Sequence, residues 1–542
     1  MTDLALLALR NHARRLLSPW DRPDGAGATL GLARGGTLLL HESAGMASLE
    51  LGVPIGPATR FRIASVSKQF TCAAILLLAE AGRLSPEDPV RRHLPELPDP
   101  GATVTLDHLM RNVSGLRDML ELMRLSGADL ALPCAEERLA EAIGRQRSLN
   151  FAPGTRFLYS NSGFMLLGRV VERVSGQPLG TFLEERILGP LGMTRTRHTP
   201  STAEVVPGLA TGYLPREGGG GFVRAQHGFP LGGEGGLVSC VEDLAIWDRA
   251  LAEGRVIGRA VAEGLATAIP FANGRMNLYA RGLEAGEYRG LRTLDHGGLW
   301  PGFRTCFLRV PALDMAVIAI ANHGGVDAAL LAHRMLDAAI EGMPGVHPVP
   351  PMPPRAALDR LAGRWIAEED GATTAEFAVA ADGTVTATQH GVPFALAPTE
   401  DGRLAARRGS FVFLVTPPAE GEVRLPVETS AGMTAGFVRA PEAATLPPDL
   451  PGRYRCAELD ADWTIAAAGD EGAELRIAGP VVAAAGPWAV QAIAPDALRV
   501  AMPGTLFRAW VDVRVLRDAR GGIAGLTVSG ARAQRLRFER EA

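Results

Sequence analysis

A chain of 542 residues, 47% hydrophobic and 21% charged, has ample apolar material for two to four packed domains. Its formal net charge of −4 gives neither nucleic acid nor an anionic membrane an electrostatic reason to bind, and no apolar run reaches the roughly 18 residues of a bilayer span. Five scattered cysteines (Cys72, Cys134, Cys240, Cys306, Cys456) without C-x-x-C spacing read as reduced thiols, and eleven histidines with no His-x-x-x-His or His-Glu-x-x-His pair predict no metal or other cofactor.

Met1 to Trp20 carries leucines at helical spacing, interrupted by Arg10, His12, Arg14 and Arg15. That pattern predicts an amphipathic helix rather than a signal peptide, and with it a cytoplasmic location. Gly27–Arg34 and Thr37–Glu42 flank Gly35-Gly36 and read as a β-hairpin. The extended Arg60–Ile63 leads to a helix from Ser65 to about Ala81 that is apolar nearly all round, hence buried. Residues 106–148 are expected to be mostly helical, broken at Asn112–Gly115. Tyr159-Ser160-Asn161 falls on a loop before a helix over Phe164–Val174, and Gly218–Gly221 reads as a flexible insertion. Gly232–Gly236 leads to a helix over Glu242–Glu253. His296-Gly297-Gly298 then precedes two strands, Phe303–Val310 and Met315–Ala321. A second His-Gly-Gly at His323 follows the apolar run 315–321 and the turn residue Asn322, so it reads as a strand-end turn. His296 is the better site candidate, on an edge strand beside a cleft.

Met343–Arg355 holds six prolines in thirteen residues and reads as a semi-rigid linker. Beyond it, short alternating segments between Asp-Gly, Glu-Gly and Gly-Gly turns predict antiparallel β structure. Leu361-Ala362-Gly363-Arg364-Trp365 is echoed 89 residues later by Leu450-Pro451-Gly452-Arg453-Tyr454, an internal duplication into two small barrels. The expected division is a catalytic region 1–342, a linker 343–355, a first barrel 356–442 and a second barrel 446–542.

Of 55 basic residues, 54 are arginine; the single lysine is Lys68, three residues after Ser65. Guanidinium stays charged in any protein, whereas a buried amine is pushed toward neutrality. Positions i and i+3 share a helix face, so the Lys68 amine is in reach of the Ser65 hydroxyl. A serine beside a deprotonatable amine is the arrangement of a nucleophile activated for acyl transfer. At the N-terminus of a buried helix, free N–H groups and the helix dipole also favour an attacking alkoxide and an oxyanion. Tyr159, taken alone, is as compatible with half-buried packing as with catalysis.

Ser65-x-x-Lys68, Tyr159-x-Asn161 and His296-Gly297-Gly298 occur in the order and rough spacing of the serine β-lactamase and penicillin-recognising family, and the chain resembles its class C branch. Gly82–Pro89, Asn112–Leu116 and Phe151–Thr155 agree with the resemblance. A catalytic domain of that α/β (α+β) fold followed by two similar eight-stranded antiparallel barrels resembles the bacterial D-stereospecific aminopeptidases. The resemblance implies that Ser65 attacks an amide carbonyl, with Lys68 and Tyr159 sharing the proton transfers; which of the two is the base stays open. It implies an oxyanion site made by the N–H groups of Ser65 and Leu299. Asn161, His296, Gly297 and Gly298 would position the substrate, a small peptide, amide or ester. It also implies a homodimer. In that group a loop of the last barrel offers a carboxylate to the substrate ammonium. The matching stretch here, Ala501–Arg508, has no acid and carries Arg508, which faces substrate or points to solvent. An esterase or D-peptide carboxypeptidase of the same fold, and a non-catalytic binder of peptidoglycan fragments, are the alternatives.

Overall fold

The computed structural model describes residues 3–406, 413–429, 433–469, 472–480, 486–503 and 508–541. Its centre is an antiparallel sheet of six strands, in spatial order Glu284–Tyr288, Leu291–Trp300, Phe303–Val310, Met315–Ala321, Ala28–Arg34 and Thr37–Ala44. The first hairpin turns at Gly35 and Gly36, both at positive φ, as the glycine pair predicts. Everything between Ala44 and Glu284 is inserted between the two halves of this sheet and forms the helical region.

Met315–Ala321 is buried at every position, which a strand covered on both faces requires. Its residues divide with period two: Ala316, Ile318 and Ile320 pack toward the helical region, while Met315, Val317, Ala319 and Ala321 meet the helices Asp3–Leu17 and Ala328–Ile340. The first helix is amphipathic as read, with Leu9, Ala13 and Leu17 inward. Residues 106–148 hold three short helices, Leu106–Met110, Met119–Leu125 and Glu136–Gly144, rather than continuous helix. Gly218–Gly221 is no free insertion; it turns the hairpin Tyr213–Pro215/Phe222–Arg224.

The C-terminal part is two closed eight-stranded antiparallel barrels, spanning Gly363–Arg439 and Gly452–Arg540. The duplication is visible in side-chain detail. Trp365 Nε1 donates to the Leu361 carbonyl at 2.9 Å, and Tyr454 OH donates to the Leu450 carbonyl at 2.6 Å. Arg439 lies over the first ring and Arg540 over the second.

The two barrels attach differently. The first has its own core, built around Leu361, Trp365, Phe377, Leu404 and Phe437. The second shares one continuous apolar cluster with the helical region, running from Phe70 and Leu122 to Trp463 and Phe538. Trp463 Nε1 donates to the Leu125 carbonyl at 3.0 Å. Glu458 Oε1 accepts the backbone N–H of Arg147 and Ser148 at 2.6 and 3.2 Å. Gly127, at φ 87°, lies so close that a Cβ there would stand 2.9 Å from Ile477.

Candidate active site

The segment before Ser65 is bent. Ala64 takes φ 49°, a left-handed conformation that costs a residue with a Cβ, and such strain collects where geometry matters. Residues Ala64–Ser67 make a 3₁₀ turn that runs into the helix Lys68–Glu80. In the tighter 3₁₀ geometry side chains at i and i+3 eclipse, and the Lys68 Nζ stands 3.2 Å from Ser65 Oγ. Ser65 keeps partial exposure while Lys68 is 0% exposed. The amine also donates to Asn161 Oδ1 at 2.9 Å and to the Glu234 carbonyl at 2.6 Å.

Burial pulls the Lys68 amine from the usual lysine range down to about 7, against the opposing pull of Glu234. Burial pushes the Glu234 carboxyl up. Its Oε1 accepts the Gly232 N–H at 2.9 Å, while its buried Oε2 has no partner among the described residues. Amine and acid are both driven toward their neutral forms. Tyr159, 6% exposed, has its ring 4.9 Å from the Lys68 amine, beside Ser65. Burial raises its phenol well above the ordinary range, and the Arg532 cation and the neighbouring Ser65 hydroxyl only partly offset that.

His296 lies on the strand Leu291–Trp300, the second strand of the sheet rather than its edge. The outer neighbour ends at Glu284, opposite Asp295, so from His296 onward this strand has one open side. The imidazole is 2% exposed. Its Nδ1 faces the Gly297 carbonyl at 2.6 Å and its Nε2 faces Tyr279 OH at 2.9 Å. A carbonyl only accepts, so Nδ1 carries the proton and Tyr279 donates to Nε2. Burial, and then the Lys68 charge, bring this histidine down to about 3, so it stays neutral. With both nitrogens engaged the ring orients Tyr279 and the strand instead of reaching into the cleft. His323, by contrast, closes a turn, accepting the Gly325 N–H at 2.9 Å.

Gly298 is where this strand touches the segment leading to Ser65: a Cβ there would stand 2.3 Å from the Ile63 carbonyl oxygen. Leu299 follows on the open stretch with its side chain 37% exposed. Gly298→Ala is therefore expected to force the strand off the Ser65 turn and lower the rate of Ser65 acylation by at least about tenfold. Labelling with a fluorophosphonate at matched thermal stability checks this; unchanged labelling would remove the close approach from the account.

Asn161 is the first residue of the helix Asn161–Ser175, not a loop position ahead of it. Its N–H donates to Asp118 Oδ2 at 2.7 Å, and Asp118 Oδ1 also caps the next helix through Leu120 N at 3.0 Å. Glu234, Tyr279, Asp118 and Arg532 are site residues that sequence reasoning missed. The Arg532 guanidinium lies 4.7 Å from the centroid of the Tyr159 ring and comes from the second barrel, on the turn between Ile523–Ser529 and Leu536–Arg540. The strands Ala497–Pro503 and Arg508–Arg517 take up most of the stretch Ala501–Arg508, pairing Pro503 with Arg508. Their connection and the Arg508 side chain lie outside the described residues, so no contact is assigned to Arg508.

This set joins a partly exposed serine to a sealed amine, a neutral phenol and an open strand side on one wall of the site. Residues 14–340 match the Beta-lactamase family, more than half of the chain, and the chain belongs to that family. It is also similar beyond that region. A D-aminopeptidase of Cereibacter sphaeroides is 29% identical over 555 residues, covering 99% of this chain and 98% of that protein. A D-aminopeptidase of Gluconobacter oxydans is 29% identical over 455 residues, covering 83% of each chain. Among solved structures, a D-amino acid amidase from Ochrobactrum anthropi SV3, complexed with L-phenylalanine amide, superposes with TM-score 0.52 at 26% identity, covering 61% of this chain and 98% of that one.

Proposed function

We propose that this chain is a serine hydrolase of the D-aminopeptidase kind, releasing N-terminal D-residues from short peptides, amides or esters through an acyl-enzyme on Ser65. The observation that carries the reading is the sealed Lys68 amine in hydrogen-bond contact with Ser65. The full-length similarity to proteins named D-aminopeptidase supports the substrate class.

Lys68 is the base in this proposal. A neutral amine has two N–H bonds and one lone pair. Asn161 Oδ1 and the Glu234 carbonyl take the two N–H groups, which leaves the lone pair facing Ser65 Oγ. An amine at about 7 is also matched to neutral solution, where a base is both available and strong enough. The Lys68 ammonium then returns the Ser65 proton to the leaving amine, relayed through the Tyr159 hydroxyl, which takes one proton as it gives one and so ends the step protonated. The N–H groups of Ser65 and Leu299 receive the oxyanion. Asn161 fixes Lys68 and lines the substrate side, and His296 acts as a positioning residue through Tyr279. Water then releases the acyl group.

The pH dependence follows from the same assignment. Protonation removes the Lys68 lone pair, so kcat/KM falls tenfold per pH unit below about 7 and is level above it. The raised Tyr159 adds no alkaline limb below pH ~10. Measured on nitrophenyl acetate, which has no titrating amine, a profile from pH 5 to 9 that instead declines on the alkaline side would contradict Lys68 as base.

The deciding experiment is a panel of D-Ala-p-nitroanilide, L-Ala-p-nitroanilide, nitrophenyl acetate and nitrocefin, with mass analysis of the Ser65 peptide after fluorophosphonate. Preference for the D-anilide with Ser65 modified is expected. Preference for the acetate would make it an esterase, and no turnover or labelling would make it a binder. No disulfide joins any of the five cysteines, which favours a reducing, cytoplasmic setting, and a homodimer is a further proposal that light scattering tests.

A further inference from the structure

Arg532 reaches the site from the far end of the chain, and its backbone is fixed at three points. Its N–H donates to Glu121 Oε2 at 2.5 Å, and its carbonyl accepts from Asp118 N at 3.2 Å and from Asn150 Nδ2 at 3.3 Å. Gly530, two residues earlier, packs so tightly on Glu121 that a Cβ there would stand 2.2 Å from the carboxylate. The turn is thus held rigidly against the wall that carries Asp118 and Asn161.

The guanidinium itself has only a long ion pair and a ring face to satisfy it among the described residues. Its nearest carboxylate, Asp118, stands 3.8 Å away, and both Asp118 oxygens already accept backbone N–H groups. Among the described residues the Arg532 side chain makes no hydrogen bond, yet it is only 22% exposed. It lies over the Tyr159 ring, which also stands 4.9 Å from the Lys68 amine that contacts Ser65. A planar fork of five N–H donors, preset by its backbone, with one long ion pair and no hydrogen bond among the described residues, one tyrosine ring from the nucleophile, can receive a carboxylate.

We propose that Arg532 is a specificity-determining residue that binds a substrate carboxylate, so that the second barrel selects peptides bearing an anionic group over neutral amides. This rests on the serine-hydrolase reading above and names its substrate class. The carboxylate has two sources, the C-terminus of the departing residue or an acidic side chain on the D-residue that acylates Ser65.

The test compares wild type with Arg532→Gln and Arg532→Lys on D-alanine p-nitroanilide, D-alanyl-glycine and D-aspartate α-p-nitroanilide. The kcat/KM ratio of a carboxylate-bearing substrate to the neutral anilide is expected to fall by about 10–100-fold in Arg532→Gln, as loss of a charged hydrogen-bond partner implies, and to recover partly in Arg532→Lys. A fall confined to D-alanyl-glycine assigns the leaving residue; one confined to the aspartyl anilide assigns the side chain. Equal losses on all three substrates would mean that Arg532 acts only through Tyr159 or on docking, and would overturn the proposal.

Calorimetric binding of D-alanyl-glycine and D-alanyl-glycinamide to Ser65→Ala protein, with and without Arg532→Gln, reads the same claim without turnover. Preference for the free acid that disappears with Arg532 is expected; no preference overturns the inference. Absence of D-amide hydrolysis by wild type would instead sink the aminopeptidase reading while this binding comparison still decides the role of Arg532.

Discussion

Lys68→Arg is expected to leave a folded protein that has lost turnover by about 10²–10⁴-fold or more, the range that removal of a general base covers. The substitution keeps a cation and most of the chain length. It discards the one property that arginine lacks, the ability to give up its proton near neutral pH. The pocket makes this severe. Lys68 is fully enclosed, with acceptors on two sides and Ser65 on the third. A guanidinium there has no lone pair to offer the hydroxyl. The check is kcat on the preferred D-amide together with circular dichroism of the variant. Retention of a tenth of wild-type turnover in a folded protein would remove Lys68 from its assigned role.

Tyr159→Phe carries the next largest effect. It deletes one oxygen and leaves the ring, with its edge contact to Tyr279 at 6.1 Å and the Arg532 cation above it. Turnover is expected to drop by at least about two orders of magnitude, with the melting temperature within a few degrees of wild type, a change of about 1 kcal/mol at most. If the hydroxyl were only a packing feature, turnover would stay near normal. A large fall in melting temperature would point instead to a structural role for the hydroxyl.

What could be read from the sequence was local. Ser65 and Lys68 are three residues apart, and helix geometry alone brings them together. The strands Phe303–Val310 and Met315–Ala321 were legible because alternation and apolar runs are short-range patterns. The barrel duplication was legible because its repeated Leu-to-aromatic spacing encodes a hydrogen bond from the ring to the carbonyl four residues back.

The missed features are long-range. Glu234 sits in a glycine-rich stretch and matters through its carbonyl, which every residue has. Tyr279 has no motif and is defined by its bond to His296. Arg532 is one of 54 arginines, and only the docking of the second barrel distinguishes it. Asn161 was placed on a loop because its helix begins with polar and small residues; the Asp118 carboxylate that accepts its N–H supplies the start signal from 43 residues away. The resemblance makes His296 a substrate-positioning residue, and burial and two hydrogen bonds turn its ring inward, toward Tyr279.

The apolar cluster shared between the helical region and the second barrel bears on how the chain is made. Synthesis runs from the N-terminus, and the family-matched region ends near residue 340. Roughly 200 residues follow, which at 5–20 residues per second take roughly 10–40 s to emerge. During that interval the face around Leu125 and Gly127 waits for Trp463 and Ile477 with nothing from its own polypeptide to cover it. A nascent chain in that state is a client for holding chaperones and a target for premature association. Ribosome pausing or truncation inside the final barrel therefore yields not a smaller enzyme but an aggregation-prone fragment whose cleft lacks one wall.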